Sequence, residues 1–275
     1  MTALTHRTIA TSGAELHLVE AGTGPLVVML HGFPESWYSW RNQIPALAAA
    51  GFHVIAPDLR GYNESTKPKH VDAYRIPVIV QDIAELIEQH GGTCILIGHD
   101  WGGIVAWFLA MTRPALVSKL VVLNAPHPVP FSRELRRSAN QKVRASYQLV
   151  FATPVIGDLA ARAMLFSMRF AGRFTREELA VMRAMWRKPG AVHAMVNYYR
   201  AMNRHRAELR PLVRPIDVET MLIWGEKDPV FIRETSENFT DYVRNLRVER
   251  IPEAGHFVQT DAAEKVTALL LDFLR

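Results

Sequence analysis

Thr93-Cys94-Ile95-Leu96-Ile97-Gly98-His99-Asp100-Trp101-Gly102-Gly103-Ile104-Val105-Ala106-Trp107-Phe108-Leu109-Ala110 is the stretch that decides the architecture. Its first five residues form an apolar run that reads as a buried parallel strand. Ile104 to Ala110 reads as a buried helix. Gly98, Gly102 and Gly103 lie two before, two after and three after Asp100. Such spacing lets a strand turn sharply into a helix with the central side chain at the tip, the nucleophile elbow usually written G-x-S-x-G. Aspartate stands here in the serine position. A carboxylate at that tip displaces a leaving group from saturated carbon and leaves an alkyl ester on the protein. Taken alone, Gly-x-Asp-x-Gly describes equally well a loop aspartate that opens the next helix. The choice between the two depends on partners elsewhere in the chain.

Those partners follow in order. Met221-Leu222-Ile223-Trp224 reads as a short strand, and Asp228 in Gly225-Glu226-Lys227-Asp228-Pro229 lies just past it. Leu246 to Ile251 reads as another strand, followed by Pro252-Glu253-Ala254-Gly255-His256-Phe257. Asp228 alone is also a good turn residue before proline, and His256 alone a good loop histidine. Nucleophile, acid and histidine in this order is the arrangement of the α/β-hydrolase triad. In an open parallel sheet the loops at the carboxyl ends of the strands share one edge, so distant residues converge there.

Outward from these motifs, strands and helices alternate. Residues 6–20 alternate like an edge hairpin turning at Ser12-Gly13. Leu26 to Leu30 is a continuous apolar strand, and Trp37 to Ala50 reads as one helix closed by Gly51. Val54-Ile55-Ala56 is a strand, Val78 to Gln89 a helix, and Lys119 to Leu123 a further strand. The pattern predicts an α/β-hydrolase fold, a mostly parallel eight-stranded sheet flanked by helices. Alternation stops after Pro128 and resumes after Pro211 and Pro215. Residues 1–127 and 214–275 are therefore expected to form the core, and 128–213 an inserted helical cap.

Composition is that of a globular chain: 275 residues, 49% hydrophobic and 21% charged. The single cysteine, Cys94, excludes an internal disulfide and reads as a small core residue. Met1 to Val19 has no apolar h-region, so no signal peptide is expected. No apolar run approaches the roughly 18 residues of a membrane span, and the expected compartment is the cytoplasm. The net charge of +5 is unevenly placed, with +11 in residues 128–213 against −6 in the rest. A solvated arginine-rich surface accounts for this, as would docking to an anionic membrane surface or steering of anionic substrates. No nucleic-acid-binding motif accompanies the charge, and nucleic acid is not an expected partner.

His31-Gly32-Phe33-Pro34-Glu35-Ser36-Trp37 sits at another strand end, and Asp58-Leu59-Arg60-Gly61-Tyr62 at the next. With these segments, the Gly-His-Asp-Trp-Gly-Gly elbow, Trp224 to Asp228 and Gly255-His256-Phe257, the chain resembles the epoxide hydrolase branch of the α/β-hydrolase superfamily over nearly its whole length. The resemblance implies Asp100 as nucleophile, Asp228 and His256 as the base pair, and the backbone N–H groups of Phe33 and Trp101 as the oxyanion hole. It implies a cis bond before Pro34. The side chains of Phe33, Trp37 and Trp101 would line the pocket, with ordinary core packing the alternative for each of the three. Pro34, Phe151, Tyr198 and Phe257 would complete the wall. His31 and His99 are assigned to structural hydrogen bonding.

Epoxide opening also needs an acid for the departing oxygen. Ser146-Tyr147-Gln148-Leu149-Val150-Phe151 and Asn197-Tyr198-Tyr199-Arg200 resemble the family's two ring-opening tyrosine segments, which implies Tyr147 and Tyr199 as proton donors. Asn63 departs from the family's usual glycine, but asparagine tolerates the left-handed turn. The implied reaction converts an epoxide and water into a vicinal diol with no metal and no organic cofactor, by a monomer or a homodimer. A haloalkane or haloacetate dehalogenase is the nearest alternative. The former usually carries Asn where Phe33 stands, and the latter Arg where Trp101 stands. A non-catalytic binding protein on the same fold is the other alternative.

Overall fold

Strand β3 (Leu26–Leu30) has five buried side chains that alternate between two cores: Val28 and Leu30 face one, Val27 and Met29 the other. A strand buried on both faces needs helices above and below it. The computed structural model, which describes residues 4–167 and 174–275, shows that arrangement. With β1 (Thr5–Ala10), β2 (Glu15–Ala21), β4 (His53–Pro57), β5 (Cys94–His99), β6 (Val117–Leu123), β7 (Glu219–Gly225) and β8 (Leu246–Ile251), β3 forms one sheet. The order is β1-β2-β4-β3-β5-β6-β7-β8. β2 runs antiparallel to β1 and β4, and the remaining pairs are parallel.

Helices α1 (Gln43–Ala49) and α10 (Ala263–Leu274) cover one face through Ile44, Leu47, Val266 and Leu270. Helices α2 (Ile76–Glu88) and α3 (Trp101–Thr112) cover the other through Ile79, Ile83, Val105 and Leu109. Between β6 and β7 run α4 (Pro128–Arg137), α5 (Ala139–Ala152), α6 (Ile156–Phe166), α7 (Arg176–Trp186) and α8 (Ala191–Leu209). Their buried residues, Phe151, Trp186 and Tyr198 among them, continue the second core rather than forming a separate one. The short helix α9 (Val258–Asp261) follows β8.

The expected helix from Trp37 to Ala50 is interrupted. Trp37–Trp40 makes a short 3-10 turn whose N-cap Ser36 accepts from the Tyr38 N–H, and α1 starts afresh at Gln43. The reason is Pro45. Proline breaks a helix interior but fits the first turn, where its missing N–H has no partner to lose. Asn63 takes the left-handed conformation expected of it, with φ +39°. Cys94 is buried in β5, and burial pushes its thiol up.

The turn from β5 into α3 is as tight as the glycine spacing requires. Asp100 is the one residue between them, at φ +48° and ψ −116°, a conformation that L-residues rarely adopt. A Cβ on Gly98 would lie 2.4 Å from the Gly102 carbonyl oxygen, and one on Gly102 would lie 2.3 Å from that of Leu30. Gly98→Ala and Gly102→Ala are each expected to cost about 1–3 kcal/mol or more, since backbone rather than a flexible side chain must yield. Chemical unfolding would measure this, and unchanged stability would refute the packing account.

Candidate active site

Three buried side chains meet at the carboxyl edge of the sheet. Asp100, Asp228 and His256 follow β5, β7 and β8 and are 6%, 4% and 5% exposed. The His256 Nδ1–H donates to Asp228 Oδ2 at 2.9 Å, and His256 Nε2 lies 3.5 Å from Asp100 Oδ2. The other Asp100 oxygen, Oδ1, accepts from the Phe33 N–H at 2.8 Å. Trp101 is the first residue of α3, where amides have no acceptor within the helix. Asp228 is oriented by Asn124 Nδ2 at 2.7 Å and by the N–H groups of Val230 and Phe231 at 2.6 and 3.0 Å.

Close packing leaves no slack. A Cβ on Gly32 would sit 2.4 Å from the Asp100 Cβ. The Phe33–Pro34 peptide is cis. Beneath the site, the His31 Nδ1–H donates to the Gly32 carbonyl at 2.9 Å, and its Nε2 accepts from the Leu59 N–H at 3.0 Å. His99 bridges the Glu35 carboxylate and the His256 carbonyl, both at 2.8 Å. Gln259 donates to Glu35 at 3.1 Å. These bonds tie the loop after β3 to the end of β5, the loop after β8 and α9.

The electrostatics are those of one cation between two anions. Burial alone would push the Asp100 carboxyl up, but the His256 hydrogen bond and charge, the His99 charge and the Phe33 N–H hold it below the ordinary range. Burial likewise opposes ionisation of Asp228. The charge and hydrogen bond of His256, with Asn124 and the Phe231 N–H, prevail and hold it low. For His256 burial disfavours the charge, yet the carboxylates at its two ring nitrogens push it up to about 10.

Above Asp100 lies a cavity of about 1050 Å³. Trp101, Ile104, Phe108, Tyr147, Tyr199 and Phe231 line its inner part. Burial keeps the Tyr147 and Tyr199 hydroxyls above their ordinary range, and the Asp100 charge adds to both. Their rings are edge to face at 5.8 Å, and each contacts the Phe151 ring. The Trp101 side chain bears on the Tyr199 hydroxyl and partly offsets its rise.

The remaining residues expected on the wall stand behind it. Phe33 and Phe151 pack against Tyr199, Phe257 lies against His256 and His99, and Pro34 accepts at its carbonyl from the Trp186 indole at 2.8 Å. Tyr198 is fully buried, and its hydroxyl donates to the Arg60 carbonyl at 2.8 Å. Trp37 is outside the cavity altogether. Its backbone N–H donates to Asp58, and its ring lies edge-on to His6 and Tyr38 and packs, partly buried, against the core on the α1 and α10 side of the sheet. Core packing is therefore the reading that describes Trp37. Sequence reasoning passed over Asn124, although its place at the end of β6 follows the same strand-end rule as the other site residues. It also passed over Gln141 and Arg144 of α5. Gln141 bonds the Val230 carbonyl and the Ile232 N–H, and Arg144 donates to the Asp228 carbonyl at 2.6 Å. Among the described residues no group of three or more His, Cys, Asp and Glu could hold a metal ion.

The chain is similar to known proteins in sequence and in fold. Residues 25–263 match the alpha/beta hydrolase fold family. The chain is 38% identical to the Bacillus subtilis AB hydrolase superfamily protein YfhM, over 97% of this chain and 96% of that one. It is 35% identical to Epoxide hydrolase 4 of Mus musculus, over 97% of this chain and 78% of that one. The chain belongs to the epoxide hydrolase family of the α/β-hydrolase superfamily. A crystal structure of a Bacillus megaterium epoxide hydrolase in complex with an inhibitor matches with a TM-score of 0.89 at 34% identity, covering 98% of this chain and 99% of that one. Among the described residues no helix is long and apolar enough to cross a membrane.

The raised pKa of His256 has a consequence for stability. Its contribution is fully present below its ordinary value of 6.5 and is lost as pH rises through about 10. Asp100 and Asp228 behave oppositely, contributing above 3.8 and losing their contribution as pH falls. The melting-temperature gap between the parent protein and His256→Gln should therefore be widest near pH 6.5 and narrow toward pH 10. A gap that stays constant across that window would mean that the imidazole is uncharged in the fold.

Proposed function

We propose that the protein hydrolyses an epoxide to a vicinal diol through an ester on Asp100. The observation that carries this reading is the facing arrangement: an ionised, buried carboxylate on one side of the cavity and two protonated tyrosine hydroxyls on the other. Asp100 Oδ1 is held by the Phe33 N–H, so Oδ2 is the oxygen free to attack an oxirane carbon. The C–O bond breaks as the ring oxygen takes a proton from Tyr147 or Tyr199. An alkoxide leaving group without such a donor would be poor. In this reading the segments 1–127 and 214–275 supply nucleophile and base, and 128–213 acts as a cap that supplies the acids.

Ester formation removes the negative charge from Asp100, and this changes its neighbours in useful directions. The Asp100 charge raises the pKa of His256 and of both tyrosines. Its loss lets His256 give up its proton and act as a base, and makes a tyrosinate easier to bear. His256, oriented by Asp228, then deprotonates the water that attacks the ester carbonyl. The oxyanion forms on Oδ1, where the Phe33 N–H already donates, and the Trp101 N–H is the second donor in this reading. The imidazolium protonates the departing diol oxygen, the second water proton restores the tyrosine, and His256 takes back from solvent the proton it released there when Asp100 was esterified.

Two outcomes test the scheme. His256→Gln should form one covalent adduct at Asp100, visible by intact mass, and then stall; repeated turnover by this variant would refute the assignment. Tyr147→Phe and Tyr199→Phe should each slow adduct formation by about a hundredfold, the usual lower range for general acids. A parallel assay of diol and halide, with Asp100→Ala as control, separates epoxide opening from dehalogenation.

A further inference from the structure

We propose that the outer end of the cavity is an anion-recognising subsite made by Arg136, Arg206 and Arg210. The preferred substrates are then epoxides that carry a carboxylate at the far end of an apolar chain. This deepens the epoxide-opening reading and rests on it.

A single continuous cavity joins Asp100, Tyr147 and Tyr199 to all three arginines. The arginines are exposed at its rim. Arg136 donates to Ser132 Oγ at 2.7 Å, and among the described residues none of the three is paired with a carboxylate. Three other arginines of these helices are paired, Arg133 with Glu134, Arg200 with Asp158 and Arg204 with Asp72, whereas Arg137, which does not line the cavity, has no carboxylate partner among the described residues either. Asp100 is the one acidic side chain lining the cavity among the described residues. The field along it therefore runs from a negative inner end to a positive mouth, which orients an anionic guest with its charge outward.

The wall between the two ends is apolar, with Phe131, Leu135, Met202, Leu209 and Val213 along it. Tyr199, Met202, Arg206 and Arg210 recur at helical spacing down one side of α8 and its continuation. Arg206 and Arg210 follow Tyr199 by about two and three turns in sequence, beyond a break in the helix at His205 (φ −111°, ψ 17°). A small neutral epoxide touches only the inner end. A chain long enough to lay its carboxylate among the arginines fills the apolar stretch as well. Guanidinium groups suit this role because they present paired donors in a planar fork.

The test compares an ω-epoxy medium-chain fatty acid, its methyl ester and glycidate, whose carboxylate sits on the oxirane itself. The parent protein should favour the long acid over its ester in kcat/KM. The triple variant Arg136→Gln, Arg206→Gln, Arg210→Gln should lower that acid-to-ester ratio about tenfold, mainly through KM, as expected of three exposed charges acting together. Rising ionic strength should lower the ratio in the parent and leave it unchanged in the variant. Glycidate should show no arginine dependence. Because the ratio is taken on one preparation, a partly folded variant does not imitate the effect. Equal turnover of acid and ester by the parent, or a ratio that survives the triple substitution, would overturn the subsite while leaving epoxide opening intact. Failure to open these substrates and neutral aryl epoxides alike would overturn the reaction assignment and the subsite with it.

Discussion

The buried negative charge of Asp100 is the constraint on which the rest of the site depends. An ionised carboxylate out of water is costly unless it is paired and hydrogen-bonded. Here the Phe33 N–H takes one oxygen and the His256 imidazole faces the other. Each of those partners must itself be held. His256 leans on Asp228, Asp228 on Asn124, and the loop carrying Phe33 on Glu35 and His99. The backbone geometry enters the same chain of dependence, because Asp100 can occupy its turn only while Gly98 and Gly102 let the backbones meet.

The inserted helices are fastened to this arrangement by buried polar bonds rather than by apolar contact alone. Gln141 and Arg144 tie α5 to the loop that carries Asp228. The Trp186 indole ties α7 to the carbonyl of Pro34, and the Tyr198 hydroxyl ties α8 to that of Arg60. Apolar packing is permissive in direction, whereas a hydrogen bond fixes an atom within a few tenths of an ångström. The bonds therefore set where Tyr147 and Tyr199 stand relative to Asp100, which the proposed general-acid role requires. They also explain why Tyr198, beside Tyr199 in the chain, is unavailable as a donor to a substrate: its proton is already engaged.

Much of the fold was legible in the chain. Doubly buried strands announce themselves as unbroken apolar runs, as at Leu26–Leu30 and Cys94–Ile97, and the glycines around Asp100 mark a turn that few other residues permit. Asp228 and His256 were legible because each follows such a strand directly. The 3-10 turn at Trp37–Trp40 was less so. The periodicity of Trp37 to Ala50 suits one helix, and only Pro45 hints that the helix must restart. Asn124 was missed for a different reason: asparagine after a strand is common in ordinary turns, and nothing local shows that a carboxylate from beyond β7 will rest on it.

The sequence by itself determined the sheet, its helical cover, the strand-end placement of Asp100, Asp228 and His256, and the helices of the described residues between β6 and β7. These follow from local periodicity and turn chemistry, which act over a few residues. Only the tertiary structure decided which side chains the cavity sees. Trp37, Phe151, Tyr198 and Phe257 carry the same aromatic signature as Trp101 and Tyr199, yet only the latter two face it. Whether a ring looks inward or backs the wall depends on helix positions set by bonds between residues distant in sequence, such as Trp186 to Pro34 and Gln141 to Val230. The same holds for Arg136, Arg206 and Arg210. In the sequence they belong to a diffuse basic segment, and folding brings them to the rim of the cavity that leads to Asp100.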